Sequence, residues 1–148
     1  MSQYMRLIGQ NARKASLEKI TTKTKNKILK KYASLLDEKR NSIIIENTKD
    51  IKFDQKKKLK NNLIDRLTIN NKKLDDIKNS INRIIKLKDP VDNTLEKWSR
   101  PNGLKIKRVS IPIGVIGVIY ESRPDVTSNV ASLCFKSGNA VILKGGSE

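Results

Sequence analysis

From residue 1 to about 88, apolar side chains recur three and four positions apart, the period of helices with one buried face. Ile28, Tyr32, Leu35 and Leu36 stand at i, i+4, i+7 and i+8, which predicts the inner face of a second helix with Thr22 as its N-cap. Ile43, Ile44 and Ile45 belong to a third helix that continues toward Ile51 and Phe53, and Leu63, Ile64 and Leu67 fit a short turn of helix. The clearest stripe is Leu74, Ile77, Ile81, Ile84 and Ile85, with Asn71 as cap and Asp75 and Asp76 near the positive helix end. These stripes read as core; a groove for a protein partner is the alternative. In "KDPVDN", Pro90 disfavours helix at Asp89 and cannot continue one itself.

Beyond Pro90 the period shortens. "LEKW" and "LKIKRVSI" flank "SRPNG", whose Asn102-Gly103 pair signals a β-hairpin. Leu104 and Ile106 alternate with Lys105 and Lys107, so one face should be wet, and the alternation slips at Arg108-Val109, as at a bulge. Trp98 reads as the anchor of this hairpin rather than a ligand platform. "GVIGVIY" and "NAVILK" are nearly continuous β-branched runs, which suit parallel strands buried on both faces. Between them Val126, Val130, Leu133 and Cys134 form the expected inner face of a helix, with Pro124 in its first turn and Gly138 at its C-terminal cap. The unit is therefore strand, helix, strand, with a right-handed crossover expected.

That topology sends "YESR" and "KGGSE" out at one edge of the sheet, where open α/β sheets bind ligands. Lys144 can donate to ribose hydroxyls or attract a phosphate, and Gly145 and Gly146 let a ligand approach the backbone. Ser147 and Glu148 look like the cap and first turn of a further helix, with free N–H groups suited to an anion. Arg123 can pair with a phosphate or carboxylate, or act as a surface salt-bridge partner. "GVIG" at Gly114–Gly117 is not the G-x-G-x-x-G dinucleotide fingerprint. From the residues alone, this edge reads either as a nucleotide site or as a plain structural βαβ unit.

Composition narrows the chemistry. The chain has 148 residues, enough for one domain with a modest core, and no histidine, which removes Ser-His-Asp and Cys-His catalysis and histidine zinc sites. The single cysteine, Cys134, can form no internal disulfide and sits on an apolar helix face, so it reads as structural. No metal site is expected. A net charge of +17, from 32 basic and 15 acidic residues, raises the question of nucleic acid. The lysines are scattered, with Lys56–Lys58 the longest run, and aromatic residues are only 4%, too few for stacking on single strands. A solvated basic surface is the favoured reading, with no specific nucleic-acid partner. No run of 18 apolar residues and no signal-like N-terminus occur, so no membrane association and a cytoplasmic location are expected.

"PIGVIGVIYESRPDVTSNVASLCFKSGNAVILKGGSE" strongly resembles the gamma-glutamyl phosphate reductase family, also called glutamate-5-semialdehyde dehydrogenase, within the aldehyde dehydrogenase superfamily. The resemblance extends through "RPNGLKIKRVSIPIG", "LKDPVDN", "IDRLTIN" and, more loosely, "NARKAS". It implies an α/β fold: residues 1–90 as a helical N-terminal part of a cofactor domain, 91–112 as a hairpin arm, and 113–148 as the first βαβ unit of a Rossmann-like NADP-binding core. It implies NADPH-dependent reduction of L-glutamate 5-phosphate to L-glutamate 5-semialdehyde and phosphate, the second step of proline synthesis. In that chemistry a cysteine thiolate displaces phosphate to give a thioester, and hydride from NADPH releases the aldehyde.

Lys144 matches the superfamily lysine that contacts the cofactor ribose, with Gly145 in place of the following proline. Gly145, Gly146, Ser147 and Glu148 complete the implied cofactor set, and Glu121, Ser122 and Arg123 form the implied substrate or cofactor edge. The superfamily's oxyanion asparagine has no counterpart in Glu121-Ser122-Arg123. The family's nucleophilic cysteine lies in a later domain, and Cys134 does not match it. The chain is thus expected to be an N-terminal fragment that holds no catalytic nucleophile and is inactive alone. The hairpin region is the candidate homo-oligomer surface. A basic nucleic-acid-binding module and a noncatalytic assembly piece are the rival readings.

Overall fold

The computed structural model describes residues 2–56, 61–121 and 123–146. Five helices come first: α1 (Gln3–Ser16), α2 (Thr22–Glu38), α3 (Arg40–Lys56), α4 (Asn61–Leu67) and α5 (Asn71–Lys86). An antiparallel hairpin follows, β1 (Thr94–Ser99) with β2 (Lys105–Val109), and then β3 (Val115–Ile119), α6 (Pro124–Lys136) and β4 (Ala140–Lys144). Strands β3 and β4 pair in parallel, so the chain is α/β with a strand–helix–strand unit after a helical layer. Lys57, Lys58, Ser122, Ser147 and Glu148 lie outside the described residues.

The core is where α2 and α5 meet, joined by α6. Leu29 and Ala33 of α2 bury against Leu74, Ile77, Ile81 and Ile84 of α5, and Tyr32, Leu36, Ile43, Ile85 and Phe135 close around them. Full burial of each Leu or Ile contributes roughly 1.5–3 kcal/mol, so this stripe is the main support of the helical layer. The stripe predicted for α5 is the one found.

The face predicted for α2 is found only in part: Tyr32 and Leu36 pack on the core, but Ile28 and Leu35 do not. Ile28 is 46% exposed and Leu35 37%, while Lys25, Leu29 and Ala33 point inward. The helix is turned so that Lys25, 3% exposed, meets partners from distant segments: its Nζ lies 2.9 Å from Asp89 Oδ2 and 3.2 Å from the Lys136 carbonyl oxygen. Counting apolar positions alone cannot reveal such a lysine. The N-caps also shift by one residue. Thr21, not Thr22, accepts from the backbone N–H of Thr24, and Asn70, not Asn71, accepts from that of Lys73. Thr22 instead donates to Asp89 at 2.8 Å.

Helix α6 differs from expectation in the same way. Val126 and Val130 are half-buried and Cys134 is buried as expected, but Leu133 is 47% exposed, and Ser128, Ser132 and Lys136 are buried in its place. Small serines suit the close contact that α6 makes with α5 and α2, and Tyr32 Oη lies 2.6 Å from Ser128 Oγ. Lys136 donates to Asn26 Oδ1 (2.7 Å) and to the Ile85 carbonyl (3.1 Å), which fastens the end of α6 to that of α5. The ends of α6 follow the sequence. Pro124 is its first residue, and Gly138 (φ +73°) terminates it, with Gly138 N–H bonded to Phe135 O and Asn139 N–H to Cys134 O.

The hairpin turns through Pro101, Asn102 and Gly103, with Gly103 left-handed at φ +82° and its N–H on Arg100 O. Asn102 has no positive φ, so the turn is the three-residue kind rather than a two-residue Asn-Gly turn. Trp98 sits directly opposite Ile106. The irregularity expected at Arg108-Val109 lies across from it, where Leu95 is the extra residue between Thr94 and Glu96. Both faces of the hairpin are open rather than one, since only Ile106 is half-buried. Strands β3 and β4 likewise fall short of burial on both faces, and Ile119 is 85% exposed. The physical reason is that this sheet has two strands among the described residues, packed on α1 and α6, so its edges stay uncovered.

Candidate functional site

Parallel pairing sets Val115 opposite Ala140 and Ile119 opposite Lys144, so the two strands end side by side. Tyr120 N–H continues the ladder onto the Lys144 carbonyl at 3.0 Å. The Tyr120 ring lies over Gly145, where an added Cβ would meet ring atoms at 3.9–4.0 Å. Its hydroxyl pairs with Thr127 Oγ1 at 2.5 Å, which fixes the ring against the first turn of α6. Arg123 is the N-cap residue of α6 and makes no side-chain cap bond, so its guanidinium and the positive end of a 13-residue helix stand at the same edge.

A cleft of about 570 Å³ opens between this edge and the helices. Tyr120, Arg123, Pro124, Gly145 and Gly146 line one side. The other side comes from the end of α2, from α3 and from α4, including Lys39, Ser42, Glu46, Asn47, Asp50 and Leu67. Asn47 is buried and holds this wall together: its amide donates to Leu67 O (3.0 Å) and its Oδ1 accepts from Ile69 N–H (2.6 Å). The sequence reading missed the helical wall entirely. Its signal was Ser42, Glu46 and Asp50 at i, i+4 and i+8, a polar line along a helix whose isoleucines draw the eye.

The predicted site residues therefore divide. Arg123, Gly145 and Gly146 line the cleft, while Lys144 and Glu121 are exposed and do not. Lys144 Nζ lies 3.1 Å from the Gly145 carbonyl oxygen. Ser122, Ser147 and Glu148 are outside the described residues. Cys134 is in the last turn of α6, at the helix end remote from Arg123, and is 7% exposed. Burial pushes its thiol above the ordinary range, so it is a poor source of thiolate. A second cleft, of about 690 Å³, lies by the starts of the strands, beside Pro112, Gly138 and Asn139. Among the described residues no group of three or more Cys, Asp or Glu could hold a metal, and no helix is long and apolar enough to cross a membrane.

No family profile matches the chain. Individual proteins do. It is 45% identical over 148 residues to a gamma-glutamyl phosphate reductase of Sulfurihydrogenibium sp. (strain YO3AOP1), covering 99% of this chain and 33% of that relative. It is 51% identical over 124 residues to that of Nautilia profundicola, covering 84% of this chain and 30% of the relative. The crystal structure of gamma-glutamyl phosphate reductase from Thermotoga maritima superposes with a TM-score of 0.89 at 44% identity, over 93% of this chain and 34% of that one. The Saccharomyces cerevisiae protein of the same name gives 0.92 at 35% identity, over 99% and 38%. The chain spans about a third of the length of the curated relatives it matches. Sequence and fold agree along the chain: over nearly its whole length it is similar to gamma-glutamyl phosphate reductases, across about a third of theirs.

Proposed function

We propose that these 148 residues are the N-terminal part of an enzyme that reduces L-glutamate 5-phosphate with NADPH to L-glutamate 5-semialdehyde and phosphate, a step of proline synthesis in the cytoplasm. The observation that carries this reading is the 45% identity along the whole chain to a relative of that name. In this reading, residues 1–90 are the helical start of the cofactor domain, 91–112 an arm for homo-oligomer contact, and 113–148 the first unit of a Rossmann-like core. The nucleophilic cysteine lies in sequence outside these residues, and the chain alone has no reductase activity.

The carboxyl ends of β3 and β4 fit a dinucleotide. Lys144 is an exposed cation at the end of a parallel strand, and Gly145 and Gly146 follow it with no side chains of their own. Lys144, Gly145 and Gly146, with Ser147 and Glu148, would hold the cofactor, which supplies the hydride. Glu121, Ser122 and Arg123 are assigned to the substrate or cofactor edge. Orientation and charge are what this part of the chain contributes.

The test is Lys144→Ala in a protein of family length that carries this chain. Loss of a charge-assisted hydrogen bond costs about 1.5–3 kcal/mol, so NADPH affinity by fluorescence titration should fall roughly ten- to over a hundredfold. Lys72→Ala, on the exposed face of α5, should change it little. Equal affinity in Lys144→Ala and the unaltered protein removes Lys144 from the cofactor site.

A further inference from the structure

We propose that the cleft on the α3 side of the strand edge holds the amino-acid end of the substrate, with Glu46 and Asp50 receiving an α-ammonium group and Arg123 an anionic group. The proposal rests on the reading above, that this edge serves a glutamyl phosphate reductase, and it assigns the two sides of the edge to two different ligands.

Charge decides the assignment. Lys39 and Arg123 line the cleft together with Glu46 and Asp50, so its walls carry two positive and two negative groups. A nicotinamide dinucleotide phosphate brings several negative charges and no exposed ammonium, and like charges at short range disfavour it beside two carboxylates. A glutamyl compound instead carries one ammonium and two anionic groups on a short apolar stem. Ile43, Leu67 and Tyr120 supply apolar wall for such a stem. Arg123 and the start of α6, which the Arg123 side chain does not cap, offer positive potential to an anion. Lys144 does not line the cleft and is left for the dinucleotide, with Gly145 and Gly146, which do line it, at the border between the two ligands.

The carboxylates are available. Glu46 and Asp50 are one helical turn apart on α3, and both are exposed. Glu46 pairs with Lys49 at 2.7 Å, but that pair is some two-thirds exposed at both ends, and a surface ion pair of this kind is readily exchanged for a ligand ammonium. Asp50 makes no salt bridge among the described residues. Beneath them the buried Asn47 ties α3 to the end of α4 and to Ile69.

The experiment is nitrogen-15 NMR of the 148-residue chain, titrated separately with L-glutamate, with glutarate, which lacks only the amino group, and with NADP. L-Glutamate at millimolar concentrations should shift the amides of Ser42–Asp50 and Arg123, and glutarate should shift Arg123 while leaving Glu46 and Asp50 unmoved. The Glu46→Gln, Asp50→Asn double variant should weaken glutamate binding about tenfold and erase its preference over glutarate. NADP should shift Val141–Gly146 and not α3. No glutamate-dependent shift on α3, equal responses to glutamate and glutarate, or NADP shifts centred on Glu46 and Asp50 would overturn the proposal. Loss of the NADP shifts alone, with the glutamate response intact, would instead count against the cofactor reading of the edge. Because both carboxylates are exposed, the variant should keep the fold, and the comparison of glutamate with glutarate on the unaltered chain needs no variant.

Discussion

Asp89 and Lys25 form the pair on which three parts of the chain converge. Asp89 accepts from Lys25, from the Thr22 hydroxyl and from the Val91 N–H, and its backbone carbonyl accepts from Asn93. Burial pushes the Asp89 carboxyl up, but the hydrogen bonds from Lys25, Val91 and Thr22 outweigh it and leave the carboxyl below its ordinary value. A depressed folded-state value means that the contribution to stability is complete above the ordinary carboxylate value of about 4 and is lost as pH falls through the folded value. Asp89→Asn should therefore cost about 3 kcal/mol near neutrality, by leaving Lys25 buried without its counter-charge. It should also flatten the acid side of the stability profile below about pH 4. Urea unfolding followed across pH checks both, and a variant with an unchanged acid limb would show that Asp89 does not titrate with unfolding.

Elements were legible in proportion to how far local rules decide them. Pro124 and Gly138 announced both ends of α6 because one fixes φ and the other tolerates a left-handed turn. The α5 stripe was plain because its inner face is wholly apolar. What stayed hidden was set by tertiary partners: Lys25 and Lys136, which are buried on oxygens from distant segments, and Ser128 and Ser132, whose small size matters only against a neighbouring helix. The strand end was readable from topology, but the α3 and α4 wall of the cleft was not, since which helix folds over an edge is a long-range outcome. Gly138 gives the element-scale prediction. A Cβ there would meet Pro112 at 3.0 Å and Val91 at 3.1 Å, with the backbone already at φ +73°. Gly138→Ala should destabilise by about 1–2 kcal/mol from the left-handed conformation, with the two contacts adding to that. Thermal unfolding measures it, and an unchanged midpoint would refute the strain.

At the scale of the molecule, charge and shape point to different partners. The excess of 32 basic over 15 acidic residues is spread over every helix, and two lysines are spent inside, Lys25 on Asp89 and Lys136 on the Ile85 carbonyl. DNA or RNA binding should accordingly be weak, indifferent to sequence, and should fall steeply between low and physiological salt. Gel-shift titrations at two salt concentrations decide it, and sequence-selective binding that survives physiological salt would restore the nucleic-acid reading. The hairpin, with Leu95, Trp98, Leu104 and Val109 exposed, is the surface proposed to meet another copy. In a protein of family length, Trp98→Asp should lower the mass seen by light scattering, and an unchanged mass would move the contact elsewhere.

The buried lysine of α2 has a consequence for the order in which a ribosome can release this chain as folded protein. Lys25 reaches Asp89 across 64 residues and the Lys136 carbonyl across 111. While only the first helices have emerged, packing Leu29 into the core would carry a lysine inside with neither partner yet made. The nascent helical layer should therefore stay loosely associated until Asp89 clears the exit tunnel, and should tighten again when α6 arrives. At roughly 5–20 residues per second, those two events are separated by seconds. In that interval α5 would pack on α2 while the side that α6 covers is still open to solvent.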